Sequence, residues 1–95
     1  MHVVVHCVDF PDALERRLQN YAAHRAYLEG GSVKTVISGP LLAPDGTTMI
    51  GSLFVFDASS VAEVEAFNKA DPFNQADVWE EISIHPFSLR VDNRG

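Results

Sequence analysis

The sequence predicts an α+β fold: two helices covering one face of a four-stranded antiparallel sheet, in the ferredoxin-like order β-α-β-β-α-β. Three observations carry this prediction. Runs rich in apolar and β-branched residues occur at 2–8, 33–38, 47–57 and within 78–91. The segments between the first and second runs and between the third and fourth, about 12–29 and 60–70, carry helical spacing and helix-end residues. Turn residues separate the second and third runs, which marks a hairpin and completes the split β-α-β pattern.

The first run, His2 to Val8, is closed by Asp9-Phe10-Pro11-Asp12. Pro11 presets a helical φ, and the two aspartates suit the positive end of a helix. Leu14, Leu18, Tyr21 and Leu28 then recur on one face at about 100° per residue, which predicts that face to be buried. Gly30-Gly31 is expected to stop the helix through a left-handed cap. Val33 to Ser38 forms the second strand, which Gly39-Pro40 should end, since proline cannot donate to a ladder. Ala43-Pro44-Asp45-Gly46 is a turn leading into the third strand at Thr47.

Ser60 with Glu63 fits a capping box, so the second helix starts there and turns Val61, Val64 and Phe67 inward. Asp71, placed before a proline, ends it near Ala70. Phe73 to Asp77 adds a helical turn, and the fourth strand follows with Ile82, Ile84 and Phe87. Along the third strand, Met49, Leu53 and Val55 alternate with Ile50, Phe54 and Phe56, so both faces are apolar. With helices on one side only, the other face calls for a second copy of the chain, and a twofold homodimer is expected.

A chain of 95 residues supports one core, and therefore one domain spanning residues 1–95. The composition, 46% hydrophobic and 21% charged, is that of a folding sequence. A net charge of -6 with scattered basic residues argues against nucleic-acid binding. No apolar run reaches membrane-spanning length, and no signal-peptide pattern opens the chain, so a cytoplasmic protein is the expectation. Cys7, the single cysteine, lies in an apolar strand and reads as a core residue.

His24 falls on the shoulder of the first helix's apolar stripe, roughly 60° from Tyr21 and 20° from Arg17. There it can reach the rim of a cleft between helix and sheet. With an ordinary pKa of about 6.5, histidine can give or take a proton near neutrality. Asp71 suits two compatible roles, capping the turn that begins at Pro72 and orienting an imidazole. Gly39 allows close approach of a ligand to the backbone, beside the Ser38 hydroxyl. Arg17 can hold an anionic or phenolic oxygen, although a solvated surface position explains it as well. Arg25, near the centre of the stripe, must snorkel or pair with an acid.

His2, His6, His24 and His85 lack zinc-site spacing, although His6 and His85 become neighbours if the first and last strands pair. No phosphate loop, nucleophile elbow or dinucleotide fingerprint is present, so neither metal nor organic cofactor is expected.

These segments together resemble the YciI-like (YCII-related) family. The resemblance is carried by Leu14-Glu15-Arg16-Arg17-Leu18 with His24, by Ser38-Gly39-Pro40, by Ala70-Asp71-Pro72-Phe73, and by the run from Val78 to Phe87. It implies a ferredoxin-like subunit in a dimeric α+β barrel, with a paired histidine and aspartate that correspond to His24 and Asp71. Related barrels include muconolactone isomerases, and one family activity is dehydrochlorination of a chlorinated hydroxyhydroquinone. The chain departs from the family pattern at Tyr21-Ala22, at Asp77, where glycine is common, and at His85, where lysine is common.

The resulting expectation is a cofactor-independent acid-base lyase or isomerase acting on a small oxygenated or aromatic molecule. His24 and Asp71 would be catalytic, with Arg17, Ser38, Gly39, Pro40 and Phe73 around the substrate. The competing expectation is a noncatalytic small-ligand-binding or accessory dimer.

Overall fold

A computed structural model describes residues 1–95. Strands β1 (His2–Asp9), β2 (Lys34–Leu42), β3 (Met49–Asp57) and β4 (Trp79–Phe87) form one antiparallel sheet in the order β2-β3-β1-β4. Helices α1 (Leu14–Gly30) and α2 (Val61–Lys69) and the short α3 (Pro72–Gln75) complete the chain. This is the expected β-α-β-β-α-β order.

Val3, Val5 and Cys7 of β1 pair with Phe56, Phe54 and Ser52 of β3 and point toward the helices. Together with Val33, Val64, Phe67, Phe73, Val78 and Trp79 they form the core. The alternate residues, among them Val4, His6, Leu53, Val55 and Ile37, occupy the opposite face of the sheet.

Two bulges decide which side chains enter the core. Asp9 pairs with Trp79 while Val8 pairs with Glu81, so Glu80 is an extra residue. An extra residue reverses the alternation, and Trp79 is thereby carried to the helix side. In β2 the register shifts between Thr35 and Ile37, with Val36 as the extra residue. Thr35, opposite Phe56, and Ser38, opposite Phe54, therefore share the helix-facing side.

The structure corrects several sequence expectations. Strand β2 runs through Gly39 and Pro40 to Leu42, because it lies at the sheet edge, where a proline nitrogen can face away from the ladder. Strand β3 starts at Met49 rather than Thr47, since Asp45 accepts hydrogen bonds from the amides of Thr47 and Thr48 and holds both in the turn. Helix α1 begins three residues beyond Pro11 and has no side-chain cap; Asp9 belongs to β1 instead. At the other end Gly31 is extended, with φ -74° and ψ 160°, not left-handed. Its glycine identity answers to packing, since a Cβ would lie 2.6 Å from the Phe67 ring.

The buried face of α1 is also not the expected one. Leu14, Leu18 and Tyr21 are exposed, at 43%, 59% and 51%, while the buried helix residues are Arg17 and His24. Two turns apart, these define a polar inward face whose groups find partners across the core. Arg25 is exposed and pairs with Glu29 at 2.9 Å. Ser60 caps α2 as expected by accepting from the Glu63 amide, but the Glu63 carboxylate accepts from the Ser59 hydroxyl. Asp77 has φ 56°, a left-handed conformation that aspartate tolerates and glycine adopts freely.

Candidate functional site

A cavity of about 580 Å³ lies between α1 and the edge half of the sheet, within the size range of small-molecule sites. Arg17, His24 and Leu28 contribute from α1, Thr35, Ser38, Gly39 and Pro40 from β2, Ser52 and Phe54 from β3, and Phe73 from α3. Asp71 stands behind His24, outside the lining.

His24 reaches its place because α1 turns it inward, and Asp71 because Pro72 obliges the chain to leave α2 in an extended conformation, with φ -61° and ψ 135°. The imidazole Nδ1 lies 2.7 and 2.9 Å from the two carboxylate oxygens of Asp71. One of those oxygens also accepts from the Phe73 amide at 2.8 Å, so the carboxylate caps α3 while it meets the ring. Both side chains are buried, at 8% and 3% exposure. An ionised carboxylate only accepts hydrogen bonds, which places a proton on Nδ1. Nε2 is left without a partner inside the protein, on a residue that lines the cavity.

Aromatic rings hold the imidazole. Phe73 stacks on it with centroids 3.9 Å apart and planes 8° from parallel, and Phe54 and Trp79 present edges at 5.8 and 6.2 Å. Phe73 thus acts on the histidine directly, with 1% of its own surface exposed.

Arg17 is buried, contrary to the solvated reading. Its Nε and Nη2 donate to the two oxygens of Asp9 at 2.8 and 2.9 Å, and Nη2 also donates to Gly51 O and Ser52 Oγ, each at 2.8 Å. Gly51 is required there, since a Cβ would come within 2.3 Å of Cys7 O. Ser52 Oγ further accepts from the Trp79 indole at 3.3 Å. The guanidinium carbon lies 4.8 Å from the Phe73 centroid. Nη1 is the one guanidinium nitrogen with no partner in the protein, and Arg17 lines the cavity.

Ser38, Gly39 and Pro40 form the exposed rim. A Cβ on Gly39 would meet nothing within 4 Å, so protein packing does not demand glycine there. Sequence reading missed Ser52 and Thr35. Ser52 shares its side of β3 with Phe54 and Phe56, and a polar residue in an apolar row was its available signal. Thr35 enters only through the Val36 bulge, which leaves no mark in the sequence. Cys7, in the core, has its thiol pKa pushed up to about 12, first by burial and then by the charges of Asp71 and Asp9. A nucleophilic role is thereby disfavoured. His6 and His85 do share one face of paired strands, opposite Ser83 and Val4 respectively.

Three comparisons place this arrangement. The chain is 31% identical over 94 residues to the protein YciI of Escherichia coli O6:H1 and, to the same degree, to that of Shigella flexneri, covering 92% of this chain and 96% of each relative. It superimposes with a TM-score of 0.82 on the 5-chloro-2-hydroxyhydroquinone dehydrochlorinase TftG of Burkholderia phenoliruptrix AC1100, solved in complex with 2,5-dihydroxybenzoquinone. The identity to TftG is 33%, with 93% of this chain and 94% of TftG covered. A NIPSNAP domain protein from Burkholderia xenovorans, 14% identical with a TM-score of 0.52, shares the fold. Residues 1–88 match the YCII-related domain, and the chain belongs to that family.

Proposed function

We propose that this protein is a cofactor-independent acid-base enzyme that eliminates or isomerises small oxygenated rings, with His24 as the proton-transfer group. The observation that carries the reading is the Nδ1 contact of His24 with Asp71, 2.7 Å long, which engages one ring nitrogen and leaves Nε2 free on a residue that lines the cavity.

In this reading Nε2 removes a proton from the bound ring, and the electron pair passes into the ring's oxygen system. Arg17 Nη1 donates to the oxygen that gains charge. The imidazolium formed is stabilised by Asp71, which stays ionised. In a dehydrochlorination, His24 returns the proton it took from a ring hydroxyl to the chlorine-bearing carbon. Chloride then departs with the C–Cl electron pair as a second hydroxyl loses its proton to solvent and the quinone forms. In an isomerisation, His24 returns the proton to another ring position. The likeness to TftG supports the first outcome, and 5-chloro-2-hydroxyhydroquinone is the substrate to try first.

The working unit is a homodimer in this proposal, with the sheet faces bearing Val4, Leu53, Val55 and Ile37 laid together. Each apolar square ångström removed from water contributes about 25 cal/mol.

Chloride release from 5-chloro-2-hydroxyhydroquinone tests the reading. His24→Ala should lower kcat by a factor of about 10²–10⁴. Full activity in a folded His24→Ala protein would reject it, and a parent protein that binds the quinol without turnover would reassign the cavity to recognition.

A further inference from the structure

We infer that Thr35 is a specificity-determining residue of the cavity, its hydroxyl donating to or accepting from a second oxygen of the substrate at the end remote from Arg17. The inference rests on the proposed function for the cavity's use, and on three further observations for the residue.

Thr35 Oγ1 is the one side-chain polar atom that is itself closed off from solvent and finds no hydrogen-bond partner within the protein, which sets it apart from His24 Nε2 and Arg17 Nη1. Such an atom costs stability unless something else satisfies it. Thr35 also lines the cavity. Finally, the bulge at Val36 places Thr35 on the cavity side of β2 together with Ser38. In an unbroken strand, two residues three apart would face opposite ways. The fold thus departs from regular pairing at the point that brings Thr35 to the cavity side.

Its position fixes what it recognises. Arg17 is anchored at Ser52, and Thr35 stands opposite Phe56, four residues along β3. At about 3.3 Å per residue the backbones of Ser52 and Phe56 lie about 13 Å apart, so Arg17 and Thr35 belong to different ends of the cavity. A ligand that reached both groups would carry oxygens at its two ends, as a ring with oxygens on opposite carbons does. His24, two helical turns from Arg17 on α1, lies beside Phe54, which stands midway between Ser52 and Phe56 on β3.

Thr35→Val removes the hydroxyl and keeps the branched shape. Two measurements test the inference. In the free protein the substitution should raise Tm, because a buried unsatisfied group is replaced by a methyl; a lowered Tm would mean the hydroxyl already has a partner and would overturn the inference. In titrations with 2,5-dihydroxybenzoquinone the variant should bind about 10-fold more weakly, Thr35→Ser should restore most of the affinity, and phenol, with one oxygen, should bind parent and variant alike. Equal affinity of parent and Thr35→Val for the dihydroxyquinone, or no binding by the parent, would overturn it. Because binding is read apart from turnover, a Thr35-dependent affinity with an inert His24 would reject the catalytic proposal alone.

Discussion

Asp9→Ala should be among the most destabilising substitutions in the protein. Asp9 and Arg17 have side chains 5% and 4% exposed and meet through two hydrogen bonds of 2.8 and 2.9 Å. Removing the carboxylate strands a guanidinium in the interior, which costs about 3–5 kcal/mol. For a domain of this size, each kcal/mol moves Tm by about 4–8 °C, so a loss of at least about 12 °C is expected. Pairing Asp9→Ala with Arg17→Met removes both charges and the stranded ion with them. Gly51 O and Ser52 Oγ then lose a donor, at about 1–3 kcal/mol for each group left unsatisfied. The double variant should therefore be more stable than the sum of the two single losses, by at least about 1 kcal/mol of coupling. Urea unfolding of all four proteins measures this. A loss under 1 kcal/mol in Asp9→Ala, or strict additivity, would refute the buried pair.

Cys7 should be inert to a thiol reagent at pH 8 in the folded protein, since its pKa lies near 12, and should react once per chain in urea; rapid native labelling would contradict its burial. Asp45 has its pKa lowered from 3.8 to about 2, chiefly by hydrogen bonds from Thr48 and then Thr47. A carboxyl depressed on folding contributes stability that is present above about pH 4 and lost as pH falls toward 2. The Tm gap between parent and Asp45→Asn should therefore narrow across that window, and a gap that widens in acid would be the contrary result. In sedimentation the parent should run at twice the chain mass of 10.4 kDa and Leu53→Glu, altered on the open sheet face, at the chain mass; a monomeric parent would refute the dimer.

The element order was legible where a boundary has a local cause: a cap at Ser60, a proline after Asp71, a turn at Asp45. The proximity of His24 and Asp71 came from family resemblance, since no local rule joins residues 47 positions apart. Helix α1 misled the reading because hydrophobic periodicity assumes that buried faces are apolar. Here the buried positions hold Arg17 and His24, whose charge and polarity are answered by Asp9 and Asp71 from elsewhere in the chain. Bulges at Val36 and Glu80 were equally hidden, since register depends on the partner strand. Gly39-Pro40 misled because edge position, which excuses a proline, is a property of the sheet.

Asp71→Asn is the most direct test of the relay. Asparagine caps a helix as well as aspartate, so α3 should keep its start and the protein its fold. What changes is the partner of Nδ1, which no longer carries the charge that stabilises an imidazolium. Turnover of 5-chloro-2-hydroxyhydroquinone, measured as chloride release, should fall by about 10²-fold or more in kcat, with Tm and dihydroxyquinone affinity close to the parent's. An Asp71→Asn enzyme turning over at the parent's rate would contradict the account.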